Sequence, residues 1–122
     1  MSAACLMIGA TALALGSGTF TLSWRHSVER TEWRETWAVT AEGLRPVEAA
    51  VKGSGAGMDP GPGAVLRDGW WVWTPDLAPQ KALLLAASGA TGGGWTLCAD
   101  GACRGFGAAA GDALRLAPCP VP

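Results

Sequence analysis

Residues 20–39, FTLSWRHSVERTEWRETWAV, alternate apolar and polar side chains on either side of a charged corner. In an extended chain Phe20, Leu22, Trp24, His26 and Val28 fall on one face, and Thr21, Ser23, Arg25, Ser27 and Glu29 on the other. The alternation resumes as Trp33, Glu35, Trp37 and Val39 against Arg34, Thr36 and Ala38. This pattern predicts a β-hairpin with one buried face. Closing it on Glu29-Arg30-Thr31-Glu32 sets Val28 opposite Trp33, Trp24 opposite Trp37 and Leu22 opposite Val39. His26 then falls opposite Glu35. The two polar residues that interrupt the apolar face become cross-strand neighbours and a candidate site.

The 122 residues suffice for one β domain spanning 1–122. Hydrophobic content is 49%, but much of it is alanine, so seven tryptophans with no tyrosine must supply the bulky core volume. Each buried indole needs a partner for its N–H. Nine basic and ten acidic residues are interleaved along the chain. No basic stripe is present, which argues against nucleic acid as a partner. Eighteen glycines and eight prolines in short clusters predict many turns between short strands rather than a helical bundle.

Residues 1–18, MSAACLMIGATALALGSG, support two readings. One is a first strand pair, Cys5 to Ile8 and Thr11 to Leu15, turning at Gly9-Ala10. The other is an apolar targeting segment that would associate the chain with a membrane, although no Lys or Arg precedes it. Further on, Leu44 to Lys52 reads as a strand in which Pro46 belongs at the start or on an edge. Ala64 to Leu66 and Trp70 to Thr74 pair about an Asp68-Gly69 turn, a strong hairpin signal. Lys81 to Ala87 reads as a strand, Trp95 to Cys98 pairs back onto Cys103 and Arg104, and Leu114 to Leu116 closes the chain.

Cys98 and Cys103 flank Asp100-Gly101 symmetrically. In a two-residue hairpin they occupy a non-hydrogen-bonded pair, a separation that suits a disulfide. The competing reading is two thiols filling space. Cys5 and Cys119, near the termini, are candidates for a second bridge that would staple the fold. Two bridges would place the chain in an oxidising compartment.

FTLSWRHSVERTEWRE followed by VKGSGAGMDP resembles the bacterial domain-of-unknown-function family 1850, whose members carry a His-Ser-Val motif, a downstream Glu and a glycine-rich loop. Here these are His26-Ser27-Val28, Glu35, and Gly53 to Met58. Members are commonly encoded beside TAXI-type TRAP transporters. The resemblance implies a periplasmic location with a transporter component or solute-binding protein as partner. It implies no reaction.

The candidate binding residues are therefore His26, Ser27, Glu35, Gly53, Ser54, Gly55, Gly57 and Met58. For His26 and Glu35 the plain alternative is a structural pair satisfying its own hydrogen bonds. Such a pair rarely stabilises a fold better than apolar residues of the same volume. Ser27 neighbours His26 in sequence and so points to the opposite face, which argues against a Ser-His-Glu hydrolase. A metal hydrolase needs three ligands, and Asp59 is the third candidate beside His26 and Glu35. The alternating Gly53, Gly55 and Gly57 permit close backbone approach to a partner or to the domain's own core. No cofactor is expected. These readings predict an all-β sandwich or partly open barrel of about eight short strands. The function expected is a non-enzymatic accessory or binding module, with a small metal-dependent hydrolase using His26 and Glu35 as the alternative.

Overall fold

The computed structural model describes residues 4–25, 32–52, 61–85, 94–106, 111 and 113–120. Eleven strands run through them: β1 (Ala4–Ile8), β2 (Thr11–Leu15), β3 (Thr19–Arg25), β4 (Glu32–Thr40), β5 (Gly43–Lys52) and β6 (Val65–Arg67), then β7 (Trp70–Trp73), β8 (Leu83–Leu85), β9 (Trp95–Ala99), β10 (Ala102–Phe106) and β11 (Leu114–Pro118). All the pairings are antiparallel. They form a four-stranded sheet, β2-β1-β11-β8, and a seven-stranded sheet, β10-β9-β3-β4-β5-β7-β6. The sheets do not close into a barrel, and the architecture is a β-sandwich.

The central hairpin forms, but its register differs from the one read off the sequence. Trp24 pairs with Trp33, Leu22 with Glu35, Phe20 with Trp37 and Arg25 with Glu32. Glu35 therefore faces Leu22 and not His26, and Glu32 belongs to β4 rather than to the turn. The slip is an even number of residues, so every side chain keeps the face that the alternation assigned to it. Period two alone leaves even slips undecided. What decides here includes the next strand, which pairs Leu97 with Leu22 and Cys98 with Thr21.

The inner faces of the two sheets meet in one core. Leu6, Ile8 and Leu15 from β1 and β2, with Leu85 and Leu116, pack against Phe20, Leu22, Trp37, Leu44 and Leu97. Each fully buried leucine contributes about 1.5–3 kcal/mol relative to exposure. Interlocked apolar side chains thus join the layers.

Two devices reinforce the fold, one within the small sheet and one between the sheets. A disulfide links Cys5 to Cys119, beside the β1–β11 pairing. At the β9–β10 turn, the Asp100 carboxylate accepts hydrogen bonds from the backbone N–H groups of Gly16 (2.8 Å) and Ser17 (3.3 Å) in the β2–β3 connection. The turn itself is of the primed kind, with Asp100 at φ 51° and Gly101 at φ 81°. Asp68 and Gly69 repeat this at φ 53° and 85°. The second disulfide, Cys98–Cys103, spans the β9–β10 pair with its Cα atoms 4.1 Å apart.

Pro46 lies inside β5. The β4–β5 ladder shifts there, with Thr36 opposite Glu48 but Trp37 opposite Pro46, so that Val47 is the extra residue of a bulge. A bulge tolerates the missing N–H, and β7 pairs with β5 only from Ala49 to Lys52. At the start of β5, Leu44 exchanges two backbone hydrogen bonds with Gln80 (2.7 and 2.8 Å). Gly43, at φ 132°, permits this approach, because a Cβ there would collide with the Gln80 carbonyl.

Candidate binding cleft

Along β4 the period-two pattern brings Trp33, Glu35 and Trp37 side by side on the inner face. The Trp33 indole N–H donates to Glu35 Oε2 at 2.8 Å, and the Trp37 N–H donates to Oε1 at 3.0 Å. The carboxylate is thus clamped lengthwise between two indoles. Across the sheet, Glu35 lies between Leu22 on β3 and Ala49 on β5, and Trp73 on β7 lies beyond Ala49. Because Ala49 is small, a hollow is left over it. This cleft has a volume of about 150 Å³. Its floor is Ala49, its walls include Trp33, Trp37 and Trp73, and Pro46, Pro75 and Leu77 add apolar rim. Glu48, opposite Thr36 next to the bulge, stands at the edge of the cleft and also lines a hollow on the outer face with Arg34 and Arg67.

The indoles continue as a chain along the same face. Trp33 meets Trp73 edge-on at 5.5 Å and stacks near Trp24 at 6.4 Å, and Trp24 meets Trp95 edge-on at 5.9 Å. Trp73 is also packed from the loop side, since a Cβ at Gly61 would overlap its ring. The core shared with the small sheet takes in Trp37 but not Trp24, Trp33 or Trp73. On the outer face the arrangement is different: Arg34 lies over the Trp70 ring at 4.4 Å, with Lys52 at 5.9 Å.

Of the residues singled out in the sequence, Glu35 is central to the cleft, while Cys98 and Cys103 form their disulfide on β9 and β10, on the other side of β3 from β4. His26, Ser27, Gly53, Ser54, Gly55, Gly57, Met58 and Asp59 lie outside the described residues. The register separates Glu35 from the position opposite it that His26 was expected to fill. Among the described residues no group of three His, Cys, Asp or Glu side chains is placed to hold a metal ion. Sequence reasoning missed Trp33, Trp37 and Trp73 as partners of Glu35. The signal was present in Trp33-x-Glu35-x-Trp37, where spacing by two puts a carboxylate directly between two N–H donors on one strand face.

Fold and cleft together define an antiparallel β-sandwich with a tryptophan-lined acidic hollow on the inner face of its larger sheet. A family model described as DUF1850, a domain of unknown function, matches residues 20–106, from the start of the central hairpin to the end of β10. The chain belongs to the DUF1850 family. No curated protein matches the chain, and no solved structure does.

Proposed function

We propose that this DUF1850 protein is a non-enzymatic accessory or binding module that works with a TRAP-type solute transporter in the periplasm. The observation that carries the binding reading is Glu35. A carboxylate fixed by two neutral N–H donors beside an apolar hollow is oriented for recognition. Recognition sites combine aromatic and apolar walls with a few placed polar groups, and the cleft has that composition. The transporter link rests on the family resemblance, whose members are commonly encoded beside such transporters. Two disulfides suit an oxidising compartment. Among the described residues no helix is long and apolar enough to cross a membrane. The hydrolase alternative was built on His26 facing Glu35, and Leu22 holds that position.

Cross-linking in the envelope of the native host, followed by mass spectrometry, tests the association. Cross-links to a TRAP membrane subunit or its solute-binding protein are the expected outcome. Intramolecular cross-links in this chain, recovered without any to such a component, would overturn it.

A further inference from the structure

We propose that the cleft between β4, β5 and β7 binds the methylated ammonium group of a small organic cation. This deepens the binding-module reading, and rests on it, by naming a ligand class. The first ground is uncompensated charge. Glu35 lies within the cleft, and none of the lining residues is Lys, Arg or His, whereas Glu48 at the edge is shared with an outer hollow that holds Arg34 and Arg67. The indole N–H groups orient Glu35 without neutralising it, because both donors are uncharged. A carboxylate against apolar walls attracts a counter-charge more strongly than one in water.

The second ground is the walls. Indole is the best of the aromatic rings for cation recognition, and aromatic cages are a recurrent means of holding quaternary ammonium groups. Trp33 and Trp73 stand nearly perpendicular to each other, at 76°, and both line the hollow. The outer face supplies an internal contrast. There the chain provides its own cations to Trp70, from Arg34 and Lys52. Around Glu35 it provides none among the described residues.

The third ground selects within the cations. A primary ammonium brings three N–H donors that each want an acceptor. Each Glu35 oxygen already accepts one indole N–H, which leaves fewer acceptor sites than three donors need, and apart from Glu48 at the edge the remaining lining is proline, leucine, alanine and aromatic surface. A methylated ammonium needs no hydrogen bonds and gains from apolar contact. The volume of about 150 Å³ suits a group no larger than a benzene-sized molecule. This favours a compact head group over an extended ligand.

The test is isothermal titration of the purified chain with choline and with 3,3-dimethyl-1-butanol, its neutral isostere. Choline is expected to bind about tenfold more tightly than the alcohol. Glu35→Gln is expected to weaken choline by roughly two- to fivefold and to leave the alcohol unchanged. Should Glu35→Gln lose its fold, the ratio of choline to isostere affinity in the parent chain decides, since the two ligands differ in charge and not in shape. Equal affinity for choline and its isostere, binding of neither, or indifference of choline to a folded Glu35→Gln would overturn the proposal. Tighter binding of n-butylammonium than of choline would overturn the methylated class. A trimethyl-lysine peptide that outcompetes choline would overturn the small-solute source. Because the titration uses the chain alone, its failure leaves the transporter association to the cross-linking result.

Discussion

At the scale of single residues, Glu35 has two roles. It supplies charge to the cleft, and it accepts the N–H of Trp37, an indole only 5% exposed that also belongs to the core. Leaving a buried donor unpaired costs about 1–3 kcal/mol. Glu35→Leu is therefore expected to destabilise the protein by about that amount in urea unfolding. A cycle with Trp37→Phe should show a coupling of about 1 kcal/mol, and strict additivity would show that the bond contributes nothing. Asp100 is the other residue with a distinct signature. Hydrogen bonds from the backbone of Gly16, and next of Ser17, hold its carboxyl below the ordinary value of 3.8. A depressed folded pKa means that the stabilisation is present above the unfolded pKa and is lost as pH falls through the folded one. The urea midpoint of Asp100→Asn should thus lie below that of the parent at neutral pH. The gap should close as pH drops below about 3.9. A gap that stays constant into strong acid would mean that the Asp100 bonds are not the cause.

At the scale of elements, hairpins and their closures carry the argument. Both Asp-Gly turns adopt positive φ at the two central residues, as their chemistry requires. The central hairpin has no such marker within its charged corner, and there the sequence reading slipped in register. The two disulfides close loops of very different size, with sequence separations of 114 and 5. Loop-closure entropy assigns about 5 kcal/mol to the long loop and about 2 kcal/mol to the short one. The Cys5→Ser, Cys119→Ser double variant should accordingly lose more stability than Cys98→Ser, Cys103→Ser, as read by denaturant midpoint. Equal losses would assign the effect to local packing. Mass spectrometry of non-reduced protein is expected to recover both linked peptides.

At the scale of the whole molecule, the small sheet is assembled from the two ends of the chain. β11 pairs with β1 on one side and β8 on the other, and its Leu116 is fully buried in the shared core. Removal of residues 114–122 therefore takes away the strand that joins the sheet and the cap over Phe20, Leu22 and Leu44. Such a truncation should abolish cooperative unfolding and the near-ultraviolet signal of the packed indoles. A truncated chain that melts as sharply as the parent would show that the larger sheet folds on its own. The family match covers residues 20–106, leaving β1, β2 and β11 outside it. The cleft lies wholly on the strands and loop that the match includes.

The sequence by itself determined what depends on neighbours a few residues away. Alternation placed Phe20, Leu22, Trp24, Trp33, Glu35 and Trp37 on one face, and that assignment survives any even slip of register. Symmetry about Asp100-Gly101 aligned Cys98 with Cys103, because a two-residue turn leaves no choice of partner. Glu35 stood out as the charge on an apolar face. Only the tertiary structure decided what surrounds it. Leu97 on β9 pairs with Leu22, which in turn stands opposite Glu35, and the bulge at Val47 set Pro46 opposite Trp37, where it adds to the cleft rim. Trp73, distant in sequence, arrived through the pairing of β7 with β5. Period-two patterns specify a face but not a partner, since every even slip satisfies them equally. The partner is chosen by contacts among strands that are distant in sequence.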